Sequence, residues 1–320
     1  MIQFASEEQR AQKKATRAAL GSTLIELAAE GMPIVAVDAD LASSTTLAKF
    51  GDEHPDRFFN CGIAEQNMID VAAGLSLAGN IAFTGSFAVF GTGRAYDQIR
   101  NTVCYSNLNV KICPTHAGIS VGPDGGSHQM LEDVALMRVL PNMRVLVPAD
   151  YEACRSAVRL AAQTSGPVYV RMGRADVPAV YAPNVMLEIG RAYVLREGTD
   201  VSIIANGVEI REALIAADEL AKQGISAEVI DAFCVKPLDV DTIVASVSKT
   251  GCAVICEEHS VIGGLCSAVC EALAQHKPVP CAFVAMGDLF GKSGSFEELM
   301  NVFGLNSDAI VEAVKKVMPK

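Results

Sequence analysis

The sequence lacks the marks of a membrane, secreted or nucleic-acid-coating chain. Half of its 320 residues are apolar, yet no uninterrupted run approaches the roughly 18 apolar residues of a membrane span. The first stretch, MIQFASEEQRAQKKATRAAL, is charged and carries no apolar signal-peptide core, so a cytoplasmic protein without membrane association is expected. Cationic excess is missing too. The formal charge is −11, and tracking a nucleic-acid backbone needs clustered cations. A small phosphorylated substrate needs only a few local ones, so that class stays open. There is no CxxC, and the tightest cysteine pairs, Cys252/Cys256 and Cys266/Cys270, fall on segments with strand and helix patterns. Without a secretory signal, the ten cysteines are expected to be reduced thiols packed as small hydrophobes. No GxSxG elbow, HExxH pair or GxxxxGKS/T loop occurs. GTGRAY (91–96) starts like a dinucleotide loop, but it lacks the third glycine and does not follow the first strand, which argues against that use.

What is present is an alternation of strands and helices. An amphipathic helix is predicted from Glu7 to Glu30, opened by Ser6 with Gln9 as a capping box and stopped by Gly31-Met32-Pro33. IVAVDAD (34–40) predicts a buried strand delivering acids at its end. A helix over 64–78, strand IAFTG, a helix around 94–103 and strand VKICPT follow. Then come helix HQMLEDVALMRVL, strand RVLVP, a helix over 151–163 and strand PVYVR. Continuous apolar strands separated by helices predict a parallel sheet covered on both faces. RADVPAVYAPNV (174–185), rich in proline and alanine, breaks the pattern and is expected as a linker. A second series follows: DVSIIANG, EIREALIAADELAKQG, SAEVIDAF, CAVICEEH, GGLCSAVCEALAQH and VPCAFVAM, closed by helices SFEELMNVFGL and SDAIVEAVKKVM. The fold class expected is α/β, with two open, mostly parallel-sheet domains over 1–183 and 184–320.

Ligands of open α/β sheets sit beyond the carboxyl ends of the strands. The residues there are Asp38/Asp40 with Ser43/Ser44, Ser86-Phe87, His116 and Arg171/Arg174. THAGISVGPDGGSHQ (115–129) puts His116, Asp124 and His128 on one glycine-rich loop; such groups steer and protonate hydroxyls, bind metal, or merely cap helices. In GSFAVFG, Phe87 and Phe90 either stack on a flat heterocycle or fill core. Arg171 and Arg174 form either a phosphate grip or surface ion pairs. In CGIAEQNMIDVAAGLSLAG (61–79) one acid, Glu65, heads a helix patterned for burial; Asp70, one and a half turns on, is the poorer functional candidate.

In their order DADLASS, GIAEQNM, TGSFAVF, THAGISVGPDGGSHQ, LPNMRVLVPAD and VYVRMGRADVP resemble the C-terminal half of transketolase. DAFCVKPLD, EEHSVIGGLCSAV and MGDLFGKSGSFEEL extend the resemblance over nearly the whole chain. It is closest to split transketolases, in which two polypeptides supply what is otherwise one. The resemblance implies a pyrimidine-binding domain followed by a transketolase C-terminal domain, and transfer of a two-carbon ketol unit from a ketose phosphate to an aldose through a thiamine diphosphate carbanion. No GDG occurs, so the GDG…N motif that holds Mg²⁺ and the cofactor's diphosphate is expected on a partner subunit, in an α₂β₂ assembly.

The resemblance also implies roles. Glu65 bonds N1′ of the cofactor's aminopyrimidine and makes its 4′ nitrogen the base. Phe87 and Phe90 stack on that ring, with Gly93 where many transketolases have a further aromatic, and Asp40 lies near the cofactor. Ser44, His116 and Arg174 hold the sugar phosphate, while Asp124 and His128 contact hydroxyls. Of these, Glu65, His116 and His128 are the expected catalytic groups. Arg171 matches no family position and is expected to be structural. Competing readings are the β subunit of a 2-oxoacid dehydrogenase, 1-deoxyxylulose-5-phosphate synthase, and a non-catalytic subunit on the same fold.

Overall fold

The computed structural model describes residues 3–318; the outermost residues of the two expected domains, 1–2 and 319–320, lie outside it. At the N-terminus the capping box forms, with Ser6 and Gln9 exchanging side-chain and backbone bonds, but the helix it opens lasts only Glu7–Arg10. The predicted helix over 7–30 is therefore broken. Lys13–Ala15 extends and pairs antiparallel with Asp176–Pro178, and Thr16 Oγ1 accepts from Gly173 N at 2.8 Å before the helix resumes at Ala18–Ala29. A long-range ladder has displaced local helix preference. The same ladder takes part of the expected linker. Beyond it, Tyr181 is fully buried and donates its hydroxyl to Asp231 Oδ2 at 2.6 Å, so this segment packs as structure.

The predicted apolar runs become buried strands. The first sheet runs, edge to edge, Cys234–Lys236, Arg144–Leu146, Val168–Val170, Val110–Ile112, Ile81–Gly85, Ile34–Asp38 and Phe58–Asn60. All its pairings are parallel except that of Cys234–Lys236, a strand contributed by the second half of the chain. The second sheet runs Cys281–Met286, Ala253–Ser260, Val201–Ala205, Ala227–Asp231 and Tyr193–Arg196, parallel but for the last. The short strands at 58–60, 193–196 and 234–236 were not predicted. Two apolar clusters flank the sheets, and each draws residues from both halves, so the core is shared.

Two predicted helices change extent. The one expected near 94–103 is spread over two wide π-type turns, Val89–Arg94 and Ile99–Tyr105, separated by a break at Ala95 and a short α turn, Tyr96–Gln98. The one expected over 128–140 shrinks to Asp133–Arg138, because Met130 bridges Ala117 in extended form and the Gln129 amide is drawn inward to backbone carbonyls. All ten cysteines are free thiols, seven of them buried, as expected.

Candidate active site

In the first sheet the chain goes from Ile34–Asp38 outward to Phe58–Asn60, then back across to Ile81–Gly85. A reversal of this kind marks where such sheets bind ligands, beyond the strands' carboxyl ends. Asp40 follows the first of these strands, Glu65 the second and Phe87 the third. Asp40 is exposed and left-handed at φ 65°, beside Asp38, whose carboxyl accepts from Leu41 N at 2.7 Å and from Thr45 Oγ1. Burial pushes the Asp38 carboxyl up to about 6.

Glu65 is the first residue of helix Glu65–Leu77 and is 2% exposed, whereas Asp70 on the same helix is exposed. Both Glu65 carboxylate oxygens accept from Nη1 of Arg94 at 2.9 Å. The Arg94 guanidinium also lies over the Phe90 ring, 4.6 Å from its centroid. Phe90 stacks at 6.1 Å with Phe87, and the imidazole of His116 lies 3.8 Å from the Phe87 centroid. His128 meets both phenyl rings edge-on, at 6.3 and 5.4 Å. Glu65, Phe87, Phe90, His116 and His128 are thus brought together. Arg94 joins them from GTGRAY, whose sequence pattern shows only an incomplete dinucleotide loop and gives no direction for its side chain.

A second focus lies beside His116. Arg17, Arg174, Ser120, Gly122 and Ser295 line a cleft of about 360 Å³. Arg174 donates to the Val121 carbonyl at 2.6 Å and stands 3.8 Å from Asp124 Oδ1. Arg17 donates to the Ser44 carbonyl at 2.7 Å, so Ser44 is tied in through its backbone. Burial, and then the neighbouring Arg174, lower the Arg17 pKa. His116, at φ 61° with Nδ1 2.7 Å from Thr115 Oγ1, is held down to about 3 by burial, then by Arg17, Arg174 and His128. Two guanidiniums facing one cleft are chemistry suited to a small anion. Arg17 was missed because its stretch looked like the middle of a helix, where no side-chain direction toward a site was readable.

Arg171 is not part of this cleft. It is buried, donating from Nε to Asp133 Oδ2 at 2.8 Å and from Nη2 to the Glu258 carbonyl at 2.8 Å, and so it joins the two halves as structure. Glu258 in turn accepts from Ser120 N at 2.6 Å, and Gln129 Nε2 donates to the Lys292 carbonyl at 2.8 Å. The second half therefore holds the histidine loop in shape. A larger cleft, about 660 Å³ between Arg138, Lys236 and Glu271, contains none of these residues. Among the described residues, no three His, Cys, Asp or Glu side chains are grouped to hold a metal ion, and no helix is long and apolar enough to cross a membrane.

This geometry belongs to a pyrimidine-binding domain joined to a C-terminal domain of the transketolase type. Residues 12–179 match the transketolase pyrimidine-binding domain and residues 190–310 the transketolase C-terminal domain. The chain is 45% identical over 310 residues to a putative transketolase C-terminal section of Methanocaldococcus jannaschii, covering 96% of this chain and 97% of that protein. It is 42% identical over 294 residues to a 6-deoxy-6-sulfo-D-fructose transketolase subunit of a Clostridium species, covering 92% of this chain and 91% of that one. A solved split gene transketolase, described as an inactive β4 tetramer, superposes with a TM-score of 0.88 at 48% identity over 96% of this chain and 98% of its own. The chain belongs to the transketolase family.

Proposed function

We propose that this chain is the C-terminal subunit of a two-chain, thiamine-diphosphate-dependent transketolase, moving a two-carbon ketol unit from a ketose phosphate to an aldose. The observation that carries the reading is one ledge of strand ends bearing a buried carboxylate, an aromatic face and, across His116, a two-arginine cleft. The aromatic face fits a flat, nitrogen-bearing ring: Arg94, itself planar and rich in N–H donors, already lies on Phe90 with its edge on Glu65. Bound thiamine diphosphate supplies the nucleophilic carbon that takes up and hands on the ketol fragment. Glu65 holds the ring nitrogen N1′ and one proton there, while Phe87 and Phe90 give the ring apolar contact and Asp40 flanks it.

Arg17 and Arg174, with Ser44 and His116, grip a tetrahedral anion at the far end of the sugar, phosphate or the chemically similar sulfonate. His116 has Nδ1 occupied by Thr115 and His128 has Nδ1 3.0 Å from Ser127 Oγ, which leaves each Nε2 to exchange a hydroxyl proton. Asp124 orders Arg174 and reaches sugar hydroxyls. Mg²⁺ and the cofactor's diphosphate fall to an N-terminal partner carrying GDG…N, in an α₂β₂ assembly. Support comes from the family match, from a relative that is itself a C-terminal section, and from the inactivity of the related split-gene β4 tetramer.

The test assays ketol transfer from xylulose 5-phosphate to ribose 5-phosphate, using this chain alone and mixed with the partner, with thiamine diphosphate and Mg²⁺. Activity is expected only in the mixture, and Glu65→Ala is expected to lower kcat by at least about 100-fold without loss of fold. Full turnover by that variant refutes the role of Glu65. Silence from a cofactor-loaded complex refutes this substrate pair and moves the search to other ketoses or 2-oxoacids.

A further inference from the structure

Arg94 makes the two contacts that the reading above gives to the pyrimidine. Its Nη1 bonds both oxygens of Glu65 at 2.9 Å, and its guanidinium carbon lies 4.6 Å from the Phe90 centroid. A guanidinium and an aminopyrimidine share what these partners recognise: a planar, delocalised face for the phenyl ring and N–H groups along one edge for the carboxylate. One place cannot hold both. Resting on that reading, we infer that Arg94 is an internal plug, a surrogate that occupies the pyrimidine seat and leaves when thiamine diphosphate enters.

Three further observations bear on the plug. Arg94 is 47% exposed on its side chain while Glu65 is 2% exposed, so the cation has an open path to solvent and the carboxylate does not. It ends the wide π-type turn Val89–Arg94, a backbone form that concentrates at functional sites. Beside it, a Cβ on Gly93 would meet nothing nearer than Met130 Cε at 3.9 Å, so no tight packing at that position pins the segment. Glu65 explains why a plug is needed. A buried carboxylate that loses its partner is strongly destabilising, and Arg94 supplies that partner until the ring does.

The consequence is a competition. When only a fraction of molecules has the seat open, the apparent dissociation constant is the intrinsic one divided by that fraction. Removing the plug should therefore tighten binding rather than weaken it. An arginine that merely supported the cofactor would give the opposite sign.

The experiment titrates thiamine diphosphate calorimetrically into the full chain assembled with its partner, comparing wild type, Arg94→Gln, Glu65→Gln and the double variant. Arg94→Gln is expected to bind about tenfold tighter than wild type, the size of one partly screened charge-assisted bond. In the Glu65→Gln background the same change is expected to do nothing. Equal or weaker binding by Arg94→Gln overturns the plug. If wild type and Glu65→Gln bind alike, the seat itself is wrong and the plug falls with it. Arg94→Lys keeps the charge but not the plane and covers the case in which Arg94→Gln does not fold; its expected tightening is smaller, and none overturns the plug. As a second readout, the arginine side-chain NMR signal of Arg94 should exchange slowly with water in the free chain and quickly once cofactor is bound. A signal that stays slow with cofactor bound is equally fatal.

Discussion

His116 lies in a left-handed turn, stacked on Phe87, and carries no charge near neutrality because burial and two arginines hold it down to about 3. That arrangement divides the work at the residue scale. Under the proposed function the cations serve the anion of the substrate, and the neutral imidazole keeps Nε2 for a hydroxyl proton. Removing one guanidinium should therefore act on binding, with chemistry largely intact. Arg174→Ala is expected to raise KM for phosphorylated sugars about 10- to 100-fold, the size of one lost charge-assisted bond, with a much smaller change in kcat. Arg17→Ala should behave alike, although its Ser44 bond adds a packing loss. Steady-state kinetics with phosphorylated and unphosphorylated acceptors provide the check. An equal rise in KM for both kinds of acceptor refutes the clamp.

At the scale of elements the histidine loop is shaped from behind. Gly118 adopts φ 79° and ψ −175°, a region kept almost wholly to glycine, and a Cβ there would stand 2.2 Å from the Glu258 carboxyl. Gly118→Ala is expected to destabilise the chain by about 2–4 kcal/mol, combining backbone strain with loss of the Glu258–Ser120 bond. Urea unfolding measures it, and an unchanged midpoint refutes the brace.

Such braces mark the limit of what the sequence shows. The strands Ile34–Asp38, Ile81–Gly85 and Val201–Ala205 were legible because each is a continuous apolar run that the sheet buries whole. Glu65 was legible because a lone acid at the head of a buried helix is anomalous. The break after Arg10 was not, since it comes from pairing with Asp176–Pro178, far along the chain, against good local helix preference. Nor was Gln129, whose amide turns inward to the carbonyls of Ile119 and Gly122 on its own loop and of Lys292 from the second half. Arg94 and Arg17 were hidden for a related reason: the direction of a long cationic side chain is set by the partners it finds.

At the scale of the molecule the halves are fused. Cys234–Lys236 completes the first sheet, Arg171 bonds Asp133 on one side and Glu258 on the other, and Tyr181 of the connecting segment reaches Asp231 at the end of a second-sheet strand. This last clasp carries a pH signature. Burial, with repulsion from Asp150, pushes the Asp231 carboxyl up to about 7 despite the hydroxyl that Tyr181 donates to it. In the unfolded chain the same carboxyl titrates near its ordinary value of about 4. Between these two values the folded state binds a proton that the unfolded state does not. The stabilisation is therefore complete below about 4 and is lost as pH rises through about 7, by up to about 1.4 kcal/mol for each pH unit inside the window. Asp231→Asn keeps an acceptor for Tyr181 and removes the titration. The stability of wild type minus that of Asp231→Asn is thus expected to grow as the pH is lowered from about 8 to 5, read from urea midpoints in buffers of matched ionic strength. Parallel curves would mean that the carboxyl is ionised in the folded state, and the clasp between the halves would then be a charge-assisted hydrogen bond from Tyr181 rather than a neutral one.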